Sequence, residues 1–303
     1  MTRTAGVDPA SSATLSPSNR TAARRTRANA LTVDVEEWFH ICGPLPELAR
    51  ERWPTLVSRV LLTTRLLLED LDRTGTRATF FVLGWVAERY PELVAEILAA
   101  GHEVGSHGHL HQRVYELDSA TFRDELRRSV AALHVAGAPA VRAFRAPEWS
   151  INRRSMWALD VLASERFTVD ASMAPVKLVG DITFPRHPHT RPTPFGDILE
   201  VPPLVADRFG QVMPLGWGWG LRMSSPSRVL RSIEEGNGAD RAAVLTVHPW
   251  EIDPDPPRVN LPLRLRFAHY FRLEGFRARL SAILRDGDFG ALTDLDTART
   301  RTA

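Results

Sequence analysis

Short apolar runs alternate with amphipathic segments along most of the chain. Ala30–Glu36 is an apolar run that turns acidic at its end, and Leu56–Leu71 then places hydrophobic residues at helical spacing. Arg77–Gly84 is rich in residues that favour strands, and the segment from Pro91 to Gly101 has a proline where a helix can begin and a glycine where it can end. The pattern therefore predicts two successive strand–helix units.

The alternation continues towards the C-terminus. His102–His107 is short and strand-like, and Asp118 or Ser119 can cap a helix that ends at Gly137. The remaining predicted strands are Val141–Pro147, Phe167–Met173, Asp197–Leu204, Ala242–Pro249 and Gly290–Leu295, and the remaining predicted helices are Met156–Leu162, Pro226–Glu235 and Leu265–Leu284. Strands separated by helices imply βαβ units, so we expect an α/β fold with a mainly parallel sheet, either a barrel or open.

The composition narrows the class of protein. With 303 residues, of which 44% are hydrophobic and 24% charged, the chain can bury the core of one large domain or two small ones. Its formal charge of +2 gives no general attraction to nucleic acid or to an anionic membrane. Cys42 is the single cysteine, which excludes an intrachain disulfide and a cysteine-based zinc cluster.

The first 29 residues differ from the rest of the chain. They are rich in Ser, Thr, Ala and Arg and lack the apolar region of a signal peptide, so we expect residues 1–29 to be a disordered tail and the protein to be cytoplasmic. No stretch approaches the roughly 20 apolar residues that span a bilayer, so we expect no transmembrane segment, while peripheral membrane association stays open. Residues 30–303 are expected to form a single domain.

Acidic, imidazole and guanidinium side chains stand at the ends of the predicted strands. Parallel sheets of this kind carry their chemistry at the carboxyl ends of the strands. The residues found there are Asp34, Glu36, Glu37, His107, His111, Arg145, Asp170 and His248. They come from distant parts of the chain and are our candidates for one site.

Each of these signals also has an ordinary structural explanation. His107 and His111 have a spacing that brings two imidazoles to one side of a helical turn, which suits a divalent ion but also arises by chance. The carboxylates around Asp34 need a cation or an arginine unless they lie in a solvated loop. Arg145 lies in an apolar context and needs a carboxylate if it is buried, whereas a lone His248 would more often be a core histidine.

Six ordered segments carry a family resemblance. They are D-V-E-E-W-F-H (Asp34–His40), R-A-T-F-F-V-L-G (Arg77–Gly84), G-H-E-V-G-S-H-G-H-L-H (Gly101–His111), F-R-A-P-E-W-S (Phe144–Ser150), V-D-A-S-M-A-P (Val169–Pro175) and H-P-W-E-I-D (His248–Asp253). Together they resemble the polysaccharide deacetylases, carbohydrate esterases that remove N-acetyl groups from amino sugars. The resemblance runs from about Ala30 to Leu295, is strongest to a branch found near bacterial exopolysaccharide and exosortase-type gene clusters, and implies a distorted (β/α) barrel of about seven strands.

The resemblance also implies a metal site. A divalent metal, zinc or else cobalt or nickel, is held by His107, His111 and one carboxylate, where it activates water and polarises the acetyl carbonyl. The common family motif places two aspartates side by side, a pattern that this chain lacks. Because Asp34 and Glu36 share one face of a strand, Glu36 is the favoured third ligand, and Glu37 replaces it if a bulge begins after Asp34.

The remaining roles complete amide hydrolysis as the family performs it. Asp34 corresponds to the general base, and Arg145 to an arginine that holds this base ionised and oriented. His248 corresponds to the late histidine that donates a proton to the departing nitrogen. Asp170 corresponds to an acid that orients or charges His248.

Four residues are candidates for binding the sugar. Trp149, Trp217 and Trp219 offer aromatic faces that suit sugar rings, although tryptophan is also ordinary core material. Leu245 corresponds to the family position that packs against the acetyl methyl group. The glycine-rich segment around Trp217 matches neither phosphate-binding fingerprint.

The expected function is a metal-dependent N-deacetylase with an N-acetylated oligo- or polysaccharide, or its lipid-linked precursor, as substrate and no nucleic-acid partner. A related amidase that acts on a small cyclic amide or ureide is the first alternative, because the carboxylate motif is altered. A carbohydrate-binding homologue without turnover is the second, and it is disfavoured because base, acid, arginine and both histidines are present. A nucleic-acid-binding or structural protein has only the arginine-rich tail in its favour.

Overall fold

Strands and helices alternate through most of the computed structural model, which describes residues 28–43, 45–208, 210–239, 241–295 and 301–302. The strands are β1 (Asn29–Val35), β2 (Thr79–Val82), β3 (Glu103–Ser106), β4 (Ala143–Phe144), β5 (Val169–Asp170), β6 (His189–Arg191), β7 (Ile198–Glu200), β8 (Val205–Arg208), β9 (Gln211–Pro214), β10 (Val244–Val247), β11 (Phe289–Gly290) and β12 (Arg301–Thr302). The helices are α1 (Val60–Thr74), α2 (Gly84–Arg89), α3 (Pro91–Ala99), α4 (Ser119–Val135), α5 (Trp157–Ser164), α6 (Gly218–Met223), α7 (Pro226–Gly238), α8 (Leu263–Tyr270) and α9 (Phe276–Asp286). The predicted disordered tail falls on residues 1–29, of which 1–27 lie outside the described residues.

Seven parallel strands form the central sheet, in the order β10, β1, β2, β3, β4, β5 and β7. The chain that follows β7 returns to the opposite edge of this sheet. There the Leu204 N–H donates to the Val244 carbonyl at 2.9 Å, and the Thr246 N–H donates to the Gly216 carbonyl at 2.8 Å. These bonds connect the chain after β7 to β10 at the other end of the sheet. The sheet curls into a distorted partial barrel, and the predicted architecture is confirmed.

The strands separate two hydrophobic layers because their side chains alternate between faces. On β1, Leu31 packs outward in the large core that the helices cover, whereas Ala30 packs inside the curl with Phe81. Leu67 of α1 is fully buried in the outer core, and burial of such a side chain contributes roughly 1.5–3 kcal/mol. Asp34 has the same parity along β1 as Ala30, so its side chain extends to the inner side at the carboxyl end of the sheet.

Two details of the predicted elements differ in the structure. The predicted helix Leu265–Leu284 is divided into α8 and α9, since the backbone takes left-handed conformations at Arg272, with φ 55°, and at Gly275, with φ 69°. The predicted strand Gly290–Leu295 is strand only at its start and continues as a short 3₁₀ turn. Among the described residues, no helix combines the length and apolar character needed to cross a bilayer.

Candidate active site

The carboxyl ends of four central strands converge on one cavity of about 290 Å³. β1 ends beside Asp34 and Glu36, β3 is followed by His107, and β10 is followed by His248, and all four side chains line the cavity. Arg145 follows β4 and lies immediately behind Asp34. The structure therefore brings together residues that are more than 200 positions apart in the chain.

Glu36, His107 and His111 form a cluster suited to a divalent cation. Their ligand atoms all lie within 4.8 Å of one another, and all three residues are buried. The Glu36 Oε2 atom lies 2.6 Å from His111 Nε2 and 3.7 Å from His107 Nε2, and it receives no well-aligned hydrogen bond. Two imidazole nitrogens and one carboxylate oxygen are a donor set used in catalytic zinc sites, so the residues present fit the metal that the sequence resemblance implied.

Glu37 points away from this cluster, as the alternation of side chains along β1 predicts. Its Oε2 accepts a hydrogen bond of 2.9 Å from the Arg59 N–H at the start of α1, and the Ser58 hydroxyl donates to Oε1. Burial raises the pKa of the Glu37 carboxyl, and these two donors oppose the change. Glu36, not Glu37, is thus the carboxylate beside the imidazoles.

The two histidines lie in a loop and not on the helical turn that their spacing suggested. Gly108 with φ 78° and His111 with φ 51° turn the backbone after β3. His107 Nδ1 lies 2.9 Å from the Arg145 carbonyl oxygen, which can only accept, so Nδ1 carries the proton and Nε2 keeps its lone pair for the cluster. His111 Nδ1 lies 3.4 Å from the sulfur of Cys42.

The cluster is electrostatically polarised. Burial by itself raises the pKa of Glu36, but His111, followed by His107 and His248, outweighs burial and holds this pKa well below its usual value. Burial likewise lowers the pKa of His111, whereas Glu36 raises it, and the net result is a pKa well above the usual value. The lowered pKa of Glu36 means that its negative charge is stabilised by nearby positive charge, and the same place therefore favours a cation.

Asp34 is held by a buried arginine. Arg145 is fully buried and its Nη1 atom lies 3.5 Å from Asp34 Oδ2. The same guanidinium donates to the hydroxyls of Thr32 and Thr246 and lies 3.9 Å from the ring centroid of Trp149. The carboxylate that a buried guanidinium requires is therefore present, as the sequence predicted.

His248 lies between the two carboxylates of the cavity and a third one behind it. Its Nε2 atom is 3.9 Å from Asp34 Oδ2 and 3.9 Å from Glu36 Oε1. Its Nδ1 atom is 3.1 Å from Glu251 Oε2, and Glu251 Oε1 lies 3.0 Å from Nε of the buried Arg222. Burial lowers the pKa of His248, but Glu251, with Glu36 and Asp34, outweighs it and raises the pKa to about 9.

The contact to His248 that we expected from Asp170 is made by Glu251 instead. Asp170 accepts a hydrogen bond from Ser172 and lies opposite Glu200 in the register of β5 and β7. Asp170 and Glu200 are both fully buried, and their charges act on Arg145. Burial, followed by the neighbouring Asp170, raises the pKa of Glu200 well above its usual value.

Three tryptophans line the cavity as expected, and one leucine does not. Trp149 and Trp217 have ring centroids 5.1 Å apart, and Trp219 lines the same cavity. Leu245 is fully buried, pairs in register with Leu31 and packs in the outer core. It therefore does not face the cavity, and the expected contact with an acetyl group is not made. The reason is strand alternation, because on β10 it is Thr246 that faces inward and binds Arg145.

Sequence reasoning missed several residues of the site. Glu251 stands three positions after His248 in the segment H-P-W-E-I-D, and Pro249 between them starts the short turn that brings them together. Arg222 and His40 carried no signal of their own. Burial lowers the pKa of His40 well below its usual value, and its Nδ1 accepts a hydrogen bond of 3.1 Å from the Glu37 N–H, so His40 is a neutral wall of the cavity.

Two family models match consecutive parts of the chain. Residues 62–164 match the model described as polysaccharide deacetylase, and residues 171–296 match a domain of unknown function, DUF3473. The first part contains His107, His111 and Arg145, whereas the second contains His248, Glu251 and Arg222. Asp34 and Glu36 precede both matched segments, so residues of the candidate site come from both models and from the chain before them.

Known proteins share parts of the sequence and the whole fold. A peptidoglycan-N-acetylglucosamine deacetylase of Bacillus cereus is 28% identical over 98 residues, which is 32% of this chain and 36% of that protein. A chitooligosaccharide deacetylase of Bradyrhizobium sp. is 33% identical over 99 residues, 32% of this chain and 42% of that protein. The matches thus span less than half of these relatives. A Mycobacterium smegmatis crystal structure assigned to the polysaccharide deacetylases covers 91% of both chains with a TM-score of 0.54 and 21% identity, a likeness in fold.

Proposed function

We propose that this chain, which carries a polysaccharide deacetylase domain, is a metal-dependent hydrolase that removes N-acetyl groups from amino sugars of a polysaccharide or its lipid-linked precursor. One observation carries the proposal. The ligand atoms of Glu36, His107 and His111 lie within 4.8 Å of one another, and Asp34 and His248 line the same cavity. This arrangement supplies a cation site, a base and an acid around one small space.

Glu36, His107 and His111 would hold the cation, with zinc favoured and cobalt or nickel as alternatives. When bound, a divalent cation polarises the acetyl carbonyl and makes a nearby water molecule more acidic. The contact of His107 Nδ1 with the Arg145 carbonyl fixes the tautomer that this task needs.

Asp34 acts as the general base. Its Oδ2 atom is held by Arg145 at 3.5 Å, whereas its Oδ1 atom is buried and has no hydrogen-bond partner among the described residues. A carboxylate oxygen with a free lone pair at the cavity wall can accept a proton from water as the water attacks the acetyl carbon. The positive charge of Arg145, together with the hydroxyls it binds, keeps Asp34 oriented.

His248 acts as the general acid. Its pKa of about 9 keeps the imidazole protonated at neutral pH, and its Nε2–H faces the cavity between Asp34 and Glu36. Proton donation to the departing nitrogen allows the C–N bond to break and the free amine to leave. Glu251 positions this imidazole through Nδ1, and the charge of Asp170 acts on Arg145.

The walls of the cavity suit a sugar. Trp149, Trp217 and Trp219 present aromatic faces, and Leu178 and Val179 add apolar surface. Such walls fit the apolar faces of a hexosamine ring, with the acetyl group directed towards the carboxylates. Residues of α6 and α8 complete the lining of the cavity.

An acetate-release assay on a panel of N-acetylated oligosaccharides tests the proposal. We expect activity that a chelator removes and that Zn²⁺, Co²⁺ or Ni²⁺ restores. Asp34→Asn and His107→Ala should lower the rate by about 10²–10⁴, as loss of a base or ligand does. The exposed residues Asp124 and His134 provide matched controls, Asp124→Asn and His134→Ala. Activity that survives both chelation and the two site substitutions would overturn the mechanism.

A further inference from the structure

The outer side of α8 exposes large apolar side chains. Leu263 is 79% exposed, Phe267 44% and Phe271 37%. Such side chains on one short segment are unusual for a surface that only faces water. Together with Arg258, Arg264 and Arg266 these three residues are called the α8 face.

The α8 face is also strongly cationic. The stretch from 258 to 272 contains four arginines, the fourth being Arg272, and no aspartate or glutamate. Arg264 and Arg266 are exposed and have no ion-pair partner among the described residues. The exposed acids Asp255 and Glu274 lie just outside this stretch. The local charge is therefore positive although the whole chain is nearly neutral.

An open cavity of about 630 Å³ separates these side chains. It is lined by Arg258, Arg266, Leu263, Phe267 and Phe271, together with Val259 and Tyr270. The guanidinium carbon of Arg258 lies 4.8 Å from the ring centroid of Tyr270, which holds that charge against the ring. Apolar and positively charged side chains therefore line the same open cavity.

The inner side of the same helix is part of the candidate active site. Leu265, Ala268 and His269 line the site cavity. Arg222 fixes the end of α8, since its Nη1 donates to the carbonyls of His269 at 3.0 Å and Phe271 at 2.8 Å. One fixed helix thus carries the wall of the cavity on one side and the α8 face on the other.

We propose that the α8 face binds the surface of an anionic lipid bilayer. Helices that lie in a membrane interface combine arginine or lysine with exposed leucine and phenylalanine, which is the chemistry of this face. Anionic headgroups complement the four arginines, and the acyl boundary accepts the leucine and phenylalanine side chains, which an acidic soluble partner would leave in water. Vesicle binding does not depend on hydrolytic activity. Membrane binding would also bring the enzyme to acetylated sugars on a lipid carrier, and this further step rests on the proposed function.

Vesicle flotation of the full chain tests the inference. The probes are vesicles of phosphatidylcholine alone and vesicles in which roughly a third of the lipid is phosphatidylglycerol. We expect binding to the anionic vesicles that weakens as salt is raised, and little binding to the neutral ones. The double variants Arg264→Glu/Arg266→Glu and Leu263→Asp/Phe267→Asp should each weaken the partition about tenfold or more.

The chain offers matched controls for both changes. Val135, 87% exposed on α4, and the exposed Arg231 on α7 allow Val135→Asp and Arg231→Glu, which should leave vesicle binding unchanged. Acetate release from a soluble oligosaccharide should be equal in all variants, because none of these residues lines the site cavity. Binding of the α8 variants at wild-type strength would overturn the inference. So would absence of vesicle binding, or binding to the soluble polyanion heparin with none to vesicles.

Discussion

Replacement of Glu251 by glutamine tests whether Glu251 keeps the proposed general acid, His248, protonated. Glu251 is fully buried and lies 3.1 Å from His248 Nδ1 and 3.0 Å from Arg222 Nε. It also accepts a hydrogen bond of 3.0 Å from the His248 backbone N–H. Glu251→Gln keeps the volume and one acceptor oxygen but removes the negative charge that stabilises the imidazolium.

The size of the effect follows from the pKa of His248. Burial lowers this pKa, and Glu251 is the largest of the contributions that raise it to about 9 from an ordinary value of 6.5. This difference corresponds to roughly 3 kcal/mol in favour of the protonated imidazole. If the pKa falls to about 7 in Glu251→Gln, the protonated fraction drops about twofold at pH 7 but roughly fiftyfold at pH 9. The loss of kcat should therefore grow as pH rises.

The assay is acetate release between about pH 6 and pH 10, with kcat and KM fitted at each pH. We expect the basic limb of the kcat profile to move to lower pH in Glu251→Gln, with KM almost unchanged, and to return in part in Glu251→Asp. Asp170→Asn is the discriminating control, since the sequence assigned this role to Asp170. A basic limb that stays in place in Glu251→Gln, or that moves only in Asp170→Asn, would refute the reasoning. Thermal unfolding of each variant separates these effects from loss of the buried Arg222 ion pair.

Three further predictions concern the cation and the buried acids. Glu36→Gln should abolish the Zn²⁺ binding that isothermal titration calorimetry measures, whereas Glu37→Gln should bind Zn²⁺ as the wild type does. Equal binding by the two variants would contradict the assignment of Glu36 as a ligand. Because Glu36 raises the pKa of His111 well above its usual value, a proton competes with the cation for this imidazole. The affinity for Zn²⁺ should therefore fall from pH 8 to pH 6, and binding should release protons. An affinity that does not depend on pH would contradict this competition. The folded-state pKa of Glu200 is raised well above its unfolded value, so this carboxyl contributes stability at pH values below the unfolded pKa of about 4.3 and loses it as pH rises towards the folded pKa. The gain in urea stability of Glu200→Gln over wild type should therefore be larger at pH 8 than at pH 5, and a gain that is constant or shrinks would count against the shifted pKa.

The sequence predicted those parts of the site that depend on one strand at a time. Alternation along β1 was enough to put Asp34 and Glu36 on one face and Glu37 on the other, and the structure has this arrangement. The ends of the parallel strands were readable as well, since each apolar run stops at a charged or imidazole residue. His107 and Arg145 meet because β3 and β4 are neighbours in the sheet.

What the sequence could not supply is the register between strands and the shape of the loops. Arg145 can donate to both Thr32 and Thr246 because the register of β1 and β10 places these two residues side by side, and nothing in either strand alone sets that register. His111 reaches Glu36 through a left-handed backbone conformation, which a spacing of four residues does not indicate. The contact between Glu251 and His248 depends on a short 3₁₀ turn whose helical nature the motif did not predict.

Arg222 connects Glu251, the partner of His248, to α8. Its Nε atom is 3.0 Å from Glu251, and its Nη atoms donate to three carbonyls at the end of α8, those of Ala268, His269 and Phe271. A movement of the end of α8 would therefore also displace the group that charges His248. Substitutions on the exposed side chains of the α8 face leave these contacts intact, because Arg222 binds only backbone carbonyls of that segment. Variants of the α8 face should thus lose vesicle binding while the pH profile of acetate release stays the same. Arg222→Gln should alter both vesicle binding and the pH profile.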